Sequence, residues 1–146
     1  MSTESADTTL KVAFASRDRR HVDQHFGAAE AFAIYAVGAD CAALLEVVQF
    51  IEAPQDGNEG KLAAKIGLLE DCKAVYCEAV GASAIRQLLA QGIQPVKVPE
   101  GTRIDALVAK LQQAWREGPT GWLAKALRGH GDETRFAAMA AEGWRE

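Results

Sequence analysis

The chain has 146 residues, 49% hydrophobic and 25% charged, with 13 Gly and 4 Pro, the balance of one globular domain rather than of a disordered, collagen-like or multidomain chain. Sixteen Lys and Arg against 20 Asp and Glu give a net charge of −4, which disfavours a general nucleic-acid binder, since those are basic. The longest uncharged run, Gln87 to Val96, is about half the length that a membrane-spanning helix needs.

The polar, acidic start from Met1 to Thr9 has neither the basic opening nor the apolar stretch of a secretory signal. The expectation is a cytoplasmic protein with residues 1–9 disordered. Cys41, Cys72 and Cys77 contain no C-x-x-C spacing, which excludes a disulfide framework and a zinc ribbon.

In chain order, Lys11 to Ser16 reads as a strand, and the charged stretch Arg17 to Gly27 as a long exposed loop. Ala31 to Val37 is a second strand, and Gly38-Ala39-Asp40 turns it into a third, from about Ala43 to Glu52; so short a connection predicts antiparallel neighbours. Pro54 to Asn58 breaks the pattern. Leu62, Ile66 and Leu69 then mark a helix running to about Glu70.

Ala74 to Cys77 is the fourth strand, followed by Gly81-Ala82-Ser83 and a helix with Ile85, Leu88 and Leu89 inward. Gln94 to Val98 is the fifth strand. Thr102 reads as the N-cap of a helix with Ile104, Leu107, Val108, Leu111 and Trp115 as its stripe, stopped by Gly118-Pro119. Two short amphipathic pieces follow, Trp122 to Leu127 and Asp132 to Ala141.

A meander followed by crossover units predicts an α/β fold, a mixed five-stranded sheet of order 3-2-1-4-5 flanked by helices. That is a ribonuclease H-like arrangement. The expected divisions are residues 10–118 as the domain and 119–146 as a helical C-terminal extension.

Ligands of such sheets bind beyond the carboxyl ends of the strands. Strands one and four are neighbours in this order, so the loop Arg17 to Gly27 and the turn Cys77 to Ser83 are expected to meet at one rim. The loop brings His21, His25, Arg17, Arg19 and Arg20; the turn brings Cys77 and a helix start whose N–H groups and dipole favour an anion. Imidazole and thiolate suit iron-type metals and clustered arginines suit a multiply charged anion. An anionic metal-sulfur cluster meets both demands.

Each residue also has a plainer reading. His25 could close a loop by hydrogen bonding, the arginines could be a solvated surface, and Cys77 could be a small core residue. Cys41 and Cys72 read as structural packing at a strand start and a helix end.

The stretches Lys11-Val-Ala-Phe-Ala-Ser-Arg-Asp18 and Val22-Asp-Gln-His-Phe-Gly27 resemble the opening signature of the dinitrogenase iron-molybdenum cofactor biosynthesis family, the NifX/NafY family. Ala74 to Ser83, Leu88 to Val98 and the tail segments Gly118 to Leu127 and Arg135 to Trp144 are similar to its later parts. The resemblance spans residues from about 9 to the C-terminus.

It implies a non-enzymatic carrier in nitrogen fixation. The cargo would be an iron-sulfur cluster, a precursor of the nitrogenase cofactor (NifB-co or a later FeMo-co precursor), bound transiently. The partners would be the cluster-building enzyme NifB and the NifEN scaffold, with no nucleic acid and no membrane. The family's His-Phe-Gly histidine, tied to cluster binding, maps onto His25.

The expected metal ligands are therefore His25 and Cys77. Ser16, Arg17, Arg19, Arg20, Gln24, Phe26 and Gly27 would surround the cluster from the first loop, and Gly81, Ala82 and Ser83 would form a backbone nest. Nothing in the motif singles out His21.

Three other functions compete. A two-metal nuclease of this fold needs an acid inside strand one, and Lys11 to Ser16 has none. A Cys77 nucleophile would lack an adjacent arginine, the next being Arg86. A docking protein that acts by contact with the scaffold, without a cluster, would use the Trp122, Phe136 and Trp144 tail.

Overall fold

The computed structural model describes residues 9–49 and 58–127. Residues 1–8 of the N-terminal segment and the second tail piece, with Phe136 and Trp144, lie outside the described residues.

Strand β1 (Leu10–Ala15) is central. It pairs antiparallel with β3 (Ala31–Val37) and parallel with β5 (Cys72–Cys77). Outside them lie β4 (Ala42–Gln49), antiparallel to β3, and β6 (Gln94–Lys97), parallel to β5. The order β4-β3-β1-β5-β6 is the one expected from the meander and its crossovers. Two further two-residue strands, β2 (His21–Val22) and β7 (Thr102–Arg103), form a ribbon of their own.

The central strands are apolar without alternation because both their faces are covered. On one face Ala13, Ala15, Phe32, Val75 and Cys77 pack under α1 (Asn58–Gly67) and α2 (Ala82–Ala90), which contribute Ile66, Ala84 and Leu88. On the other, Val12, Phe14, Ala74 and Tyr76 pack under α3 (Ile104–Glu117), which contributes Ile104, Leu107, Val108 and Leu111. Phe14 stacks on Tyr76 with ring centroids 5.0 Å apart and meets Tyr35 edge-on at 5.4 Å. A last helical segment, residues 121–127, buries Leu123 in this second cluster.

Some local expectations change, and one falls partly outside the described residues. Leu88 is inward as expected, but Leu89 is 51% exposed and Ile85 only half-buried, and Ala84 joins Leu88 on the inner stripe of α2. Cys41 is exposed in the turn before β4, and Cys72 begins β5 rather than ending a helix. The third strand is described only to Gln49, and residues 50–52 lie outside the described residues. Thr102 is no N-cap: Arg103 holds that position with extended backbone and no side-chain cap, because Thr102 pairs with Val22 and its hydroxyl donates to the Pro99 carbonyl.

Candidate functional site

The first loop begins where Ala15 leaves the sheet, and it is tied down along its length. Asp18 accepts hydrogen bonds from the backbone N–H groups of Arg20 (2.8 Å) and His21 (2.9 Å) and from the Ser16 hydroxyl (3.1 Å). Its second oxygen meets His21 Nδ1 at 2.8 Å. These contacts hold the Asp18 carboxyl well below the ordinary carboxylate range, the His21 side chain contributing most. The Ser16 hydroxyl in turn accepts from the Arg19 N–H at 2.9 Å, and Arg19 sits in the left-handed region (φ 64°). Asp23 accepts from the Arg17 N–H at 3.2 Å.

Further on, the loop crosses the end of the sheet, so it is not the uniformly exposed excursion expected from its charge. Val22 is buried in the α3-side cluster and Phe26 in the α1/α2-side cluster, four residues later. Between them the chain runs parallel to the segment leaving β5. The Glu78 N–H donates to the Gln24 carbonyl at 2.9 Å, the Phe26 N–H donates to the Ala79 carbonyl at 2.7 Å, and His25 bridges Ala79. The two loops expected to converge therefore do.

His25 projects from this bridge with its side chain 61% exposed, and its Nε2 lies 3.5 Å from Glu78 Oε2. That is ion-pair range but longer than a good hydrogen bond, which leaves the imidazole free to take another partner. Gly81, Ala82 and Ser83 are exposed at the start of α2, where Gly81 is the N-cap without a side-chain cap. The Ser83 hydroxyl accepts from Gln87 Nε2 at 3.2 Å. Gln24 is buried, its side-chain oxygen accepting the Glu30 N–H at 3.2 Å.

The other expected residues divide. Cys77 does not reach the surface: alternation along β5 puts it with Val75 in the α1/α2-side core, fully buried. Burial pushes its thiol up to about 12, so the thiolate that iron would need is disfavoured there. Arg17 is exposed on the loop. Arg19, Arg20 and His21 line a separate cavity with Tyr35, Arg103 and Asp105. Ser16 is buried and serves the loop's own hydrogen bonds.

Two residues that the sequence pattern did not flag belong to the rim. Glu78 is the group facing His25. Lys65, only 3% exposed, donates from its ammonium to the carbonyls of Phe26 (3.1 Å) and Gly27 (2.7 Å) and lies 5.9 Å from the centre of the Phe26 ring. It thus supports the His-Phe-Gly turn from beneath. The signal was its spacing: Lys65 falls on the stripe of Leu62, Ile66 and Leu69, where a lysine is out of place unless something there accepts its protons.

Among the described residues, no group of three or more His, Cys, Asp or Glu side chains is assembled to hold a metal ion. The rim offers one open imidazole with a carboxylate beside it, on a backbone fixed from both sides.

A family profile described as dinitrogenase iron-molybdenum cofactor matches residues 8–114. The chain belongs to that family. It is 60% identical to Protein NifX of Azotobacter vinelandii, over 100% of this chain and 94% of that one. It is 43% identical to Protein NifX of Klebsiella pneumoniae, over 76% and 70%. A shorter match, 36% identical over 68% of this chain, falls on 20% of the FeMo cofactor biosynthesis protein NifB of Frankia alni. The crystal structure of PH0822 shares the fold, with a TM-score of 0.57 at 23% identity over 72% of this chain and 90% of its own. Among the described residues, no helix is long and apolar enough to cross a membrane.

Proposed function

We propose that this protein is a carrier in the assembly of the nitrogenase cofactor, one that binds an iron-sulfur precursor at the His25 rim and passes it on without catalysing a reaction. The observation that carries the reading is the presentation of His25: an open imidazole on a loop bonded to the β5 exit on one side and to Lys65 on the other. Membership of the family and similarity to proteins named NifX support the choice of cargo.

His25 is the iron ligand, and the exposed start of α2 at Gly81 to Ser83 faces cluster charge with N–H groups and the positive end of the helix dipole. Glu78, 3.5 Å from the imidazole, orients it. Cys77 is left out of the ligand set because it is buried. NifB, as donor, and the NifEN scaffold, as acceptor, are the partners this role requires, in the cytoplasm. Residues 10–118 form the carrier domain, with 119–146 as its extension.

The test is an anaerobic titration of the apo-protein with the isolated iron-sulfur precursor, followed by gel filtration and iron analysis. Wild type is expected to retain iron and His25→Ala to lose most of it, with Cys77→Ala like wild type. A wild type that elutes without iron overturns the carrier reading and favours action by contact alone.

A further inference from the structure

The cavity that takes Arg19 and Arg20 is lined by neither His25 nor Glu78, and it has a chemistry of its own. It encloses about 360 Å³ between the first loop, Tyr35 of β3 and the start of α3. Its backbone is stitched together where the Ile104 N–H donates to the Arg20 carbonyl at 2.8 Å and the Gly101 N–H to the Val22 carbonyl at 2.8 Å. Three guanidiniums, Arg19, Arg20 and Arg103, face one carboxylate, Asp105.

Of the three guanidiniums, that of Arg103 engages the carboxylate, through contacts of 3.0 and 2.6 Å. The nearby Asp18 carboxylate is occupied by hydrogen bonds from N–H groups of the loop and by its contact with the His21 ring. Among the described residues, the side chains of Arg19 and Arg20 have no hydrogen-bond or ion-pair partner. The cavity lining therefore carries three guanidiniums against one carboxylate, an excess of positive charge on a protein whose net charge is −4. Arg19 is held there with a backbone (φ 64°) that a non-glycine residue rarely adopts.

We propose that this cavity is a second binding site, for a small oxyanion bearing at least two negative charges of the phosphate or carboxylate type. Arg19 and Arg20 take the anion through paired N–H donors, the geometry in which guanidinium binds such groups best. Arg103 turns from Asp105 to share it, and the α3 N-terminus adds its dipole. The site is independent of the iron site and is tested without iron.

The test is calorimetric titration of the full apo-chain with pyrophosphate and with citrate at low ionic strength. The variants are Arg20→Ala, Arg19→Gly, which removes the guanidinium yet suits the left-handed backbone, and Arg86→Ala as a control on the surface of α2. At least one probe is expected to bind wild type and Arg86→Ala alike, and each of the other variants to weaken it by about tenfold.

Tighter binding of pyrophosphate identifies a phosphate-bearing ligand; tighter binding of citrate identifies a polycarboxylate. Amide shifts in wild type should move at Arg20, Tyr35 and Ile104, which reports on the site even if a variant folds poorly. No binding of either probe, equal weakening by Arg86→Ala, or shifts confined to other surfaces overturns the proposal.

Discussion

Replacing Lys65 with Met tests whether the rim is built from beneath. The two side chains are similar in length, so the substitution keeps the packing in α1 and removes the ammonium that donates to the Phe26 and Gly27 carbonyls at 3.1 and 2.7 Å. A hydrogen bond from a charged donor contributes about 1.5–3 kcal/mol, so these two bonds contribute about 3–6 kcal/mol to the gross loss. Against this stands the desolvation cost of a buried ammonium, several kcal/mol, which Met does not incur. The net expected loss is about 1–3 kcal/mol, or a melting temperature lower by about 4–10 °C for a chain of this size.

The functional consequence is larger than the stability one. Gly27 and Phe26 adjoin His25, and freeing their carbonyls loosens the turn that aims the imidazole. Thermal melts by circular dichroism, paired with the iron-retention assay, read both effects. Lys65→Met is expected to melt lower and to hold less iron than wild type at a temperature where both are folded. A variant that melts within a degree of wild type and retains the same iron would refute the argument that Lys65 positions the site.

Three further outcomes are expected. In the native protein a thiol reagent at mild pH should label Cys41 rapidly and leave Cys72 and Cys77 unmodified until the chain is denatured, because both buried thiols are pushed up to about 12; rapid native labelling of a second cysteine would contradict the burial. The same two thiols, with the Tyr76 hydroxyl also pushed up to about 12 by burial, bind protons more tightly in the folded state than in the unfolded one. Their contribution is thus complete below about pH 9 and lost as pH rises towards 12, so melts across that window should fall steadily, and a flat profile would count against it. Asp18→Ala removes the acceptor for two loop N–H groups and the His21 ring; it should cost about 1 kcal/mol and speed hydrogen exchange at Arg20 and His21, whereas unchanged exchange would mean the loop is held elsewhere.

What could be read in advance follows from where each signal resides. β1 and β5 are covered on both faces, so each appears as an apolar run after the lysine at its second position, Lys11 and Lys73, and the short turn at Gly38 makes the pairing of β3 with β4 local. Once the strand order is known, the meeting of the two loops at the rim follows from geometry, and the bridge of His25 to Ala79 is its realisation.

The missed features depend on three-dimensional relations that no short pattern encodes. The ribbon of β2 and β7 joins residues 21–22 to 102–103 with two residues a side, too short for any periodicity. The split between His25 and the arginines arises because the loop crosses the sheet edge, burying Val22 on one face and Phe26 on the other. Cys77 looked like a rim residue by position along the strand, but the two-residue repeat that it shares with Val75 turns its thiol inward.

On the carrier reading, the contrast between a stiff backbone and a sparse ligand set is the functional design. Ordering a loop at the moment of binding would subtract from affinity, at about 1–2 kcal/mol per residue fixed. Here Asp18, Lys65 and the bonds to Glu78 and Ala79 fix the loop during folding. A single imidazole bond can then contribute its full strength to holding the cargo. Release then needs few bonds to break, because among the described residues no group of three or more His, Cys, Asp or Glu side chains is assembled to hold a metal. Clusters held by about four cysteines leave only when several bonds are exchanged. Adding ligands to this rim, by Glu78→Cys for example, should therefore raise iron retention and slow transfer to an acceptor protein; faster transfer from the tighter variant would show that ligand number does not govern release.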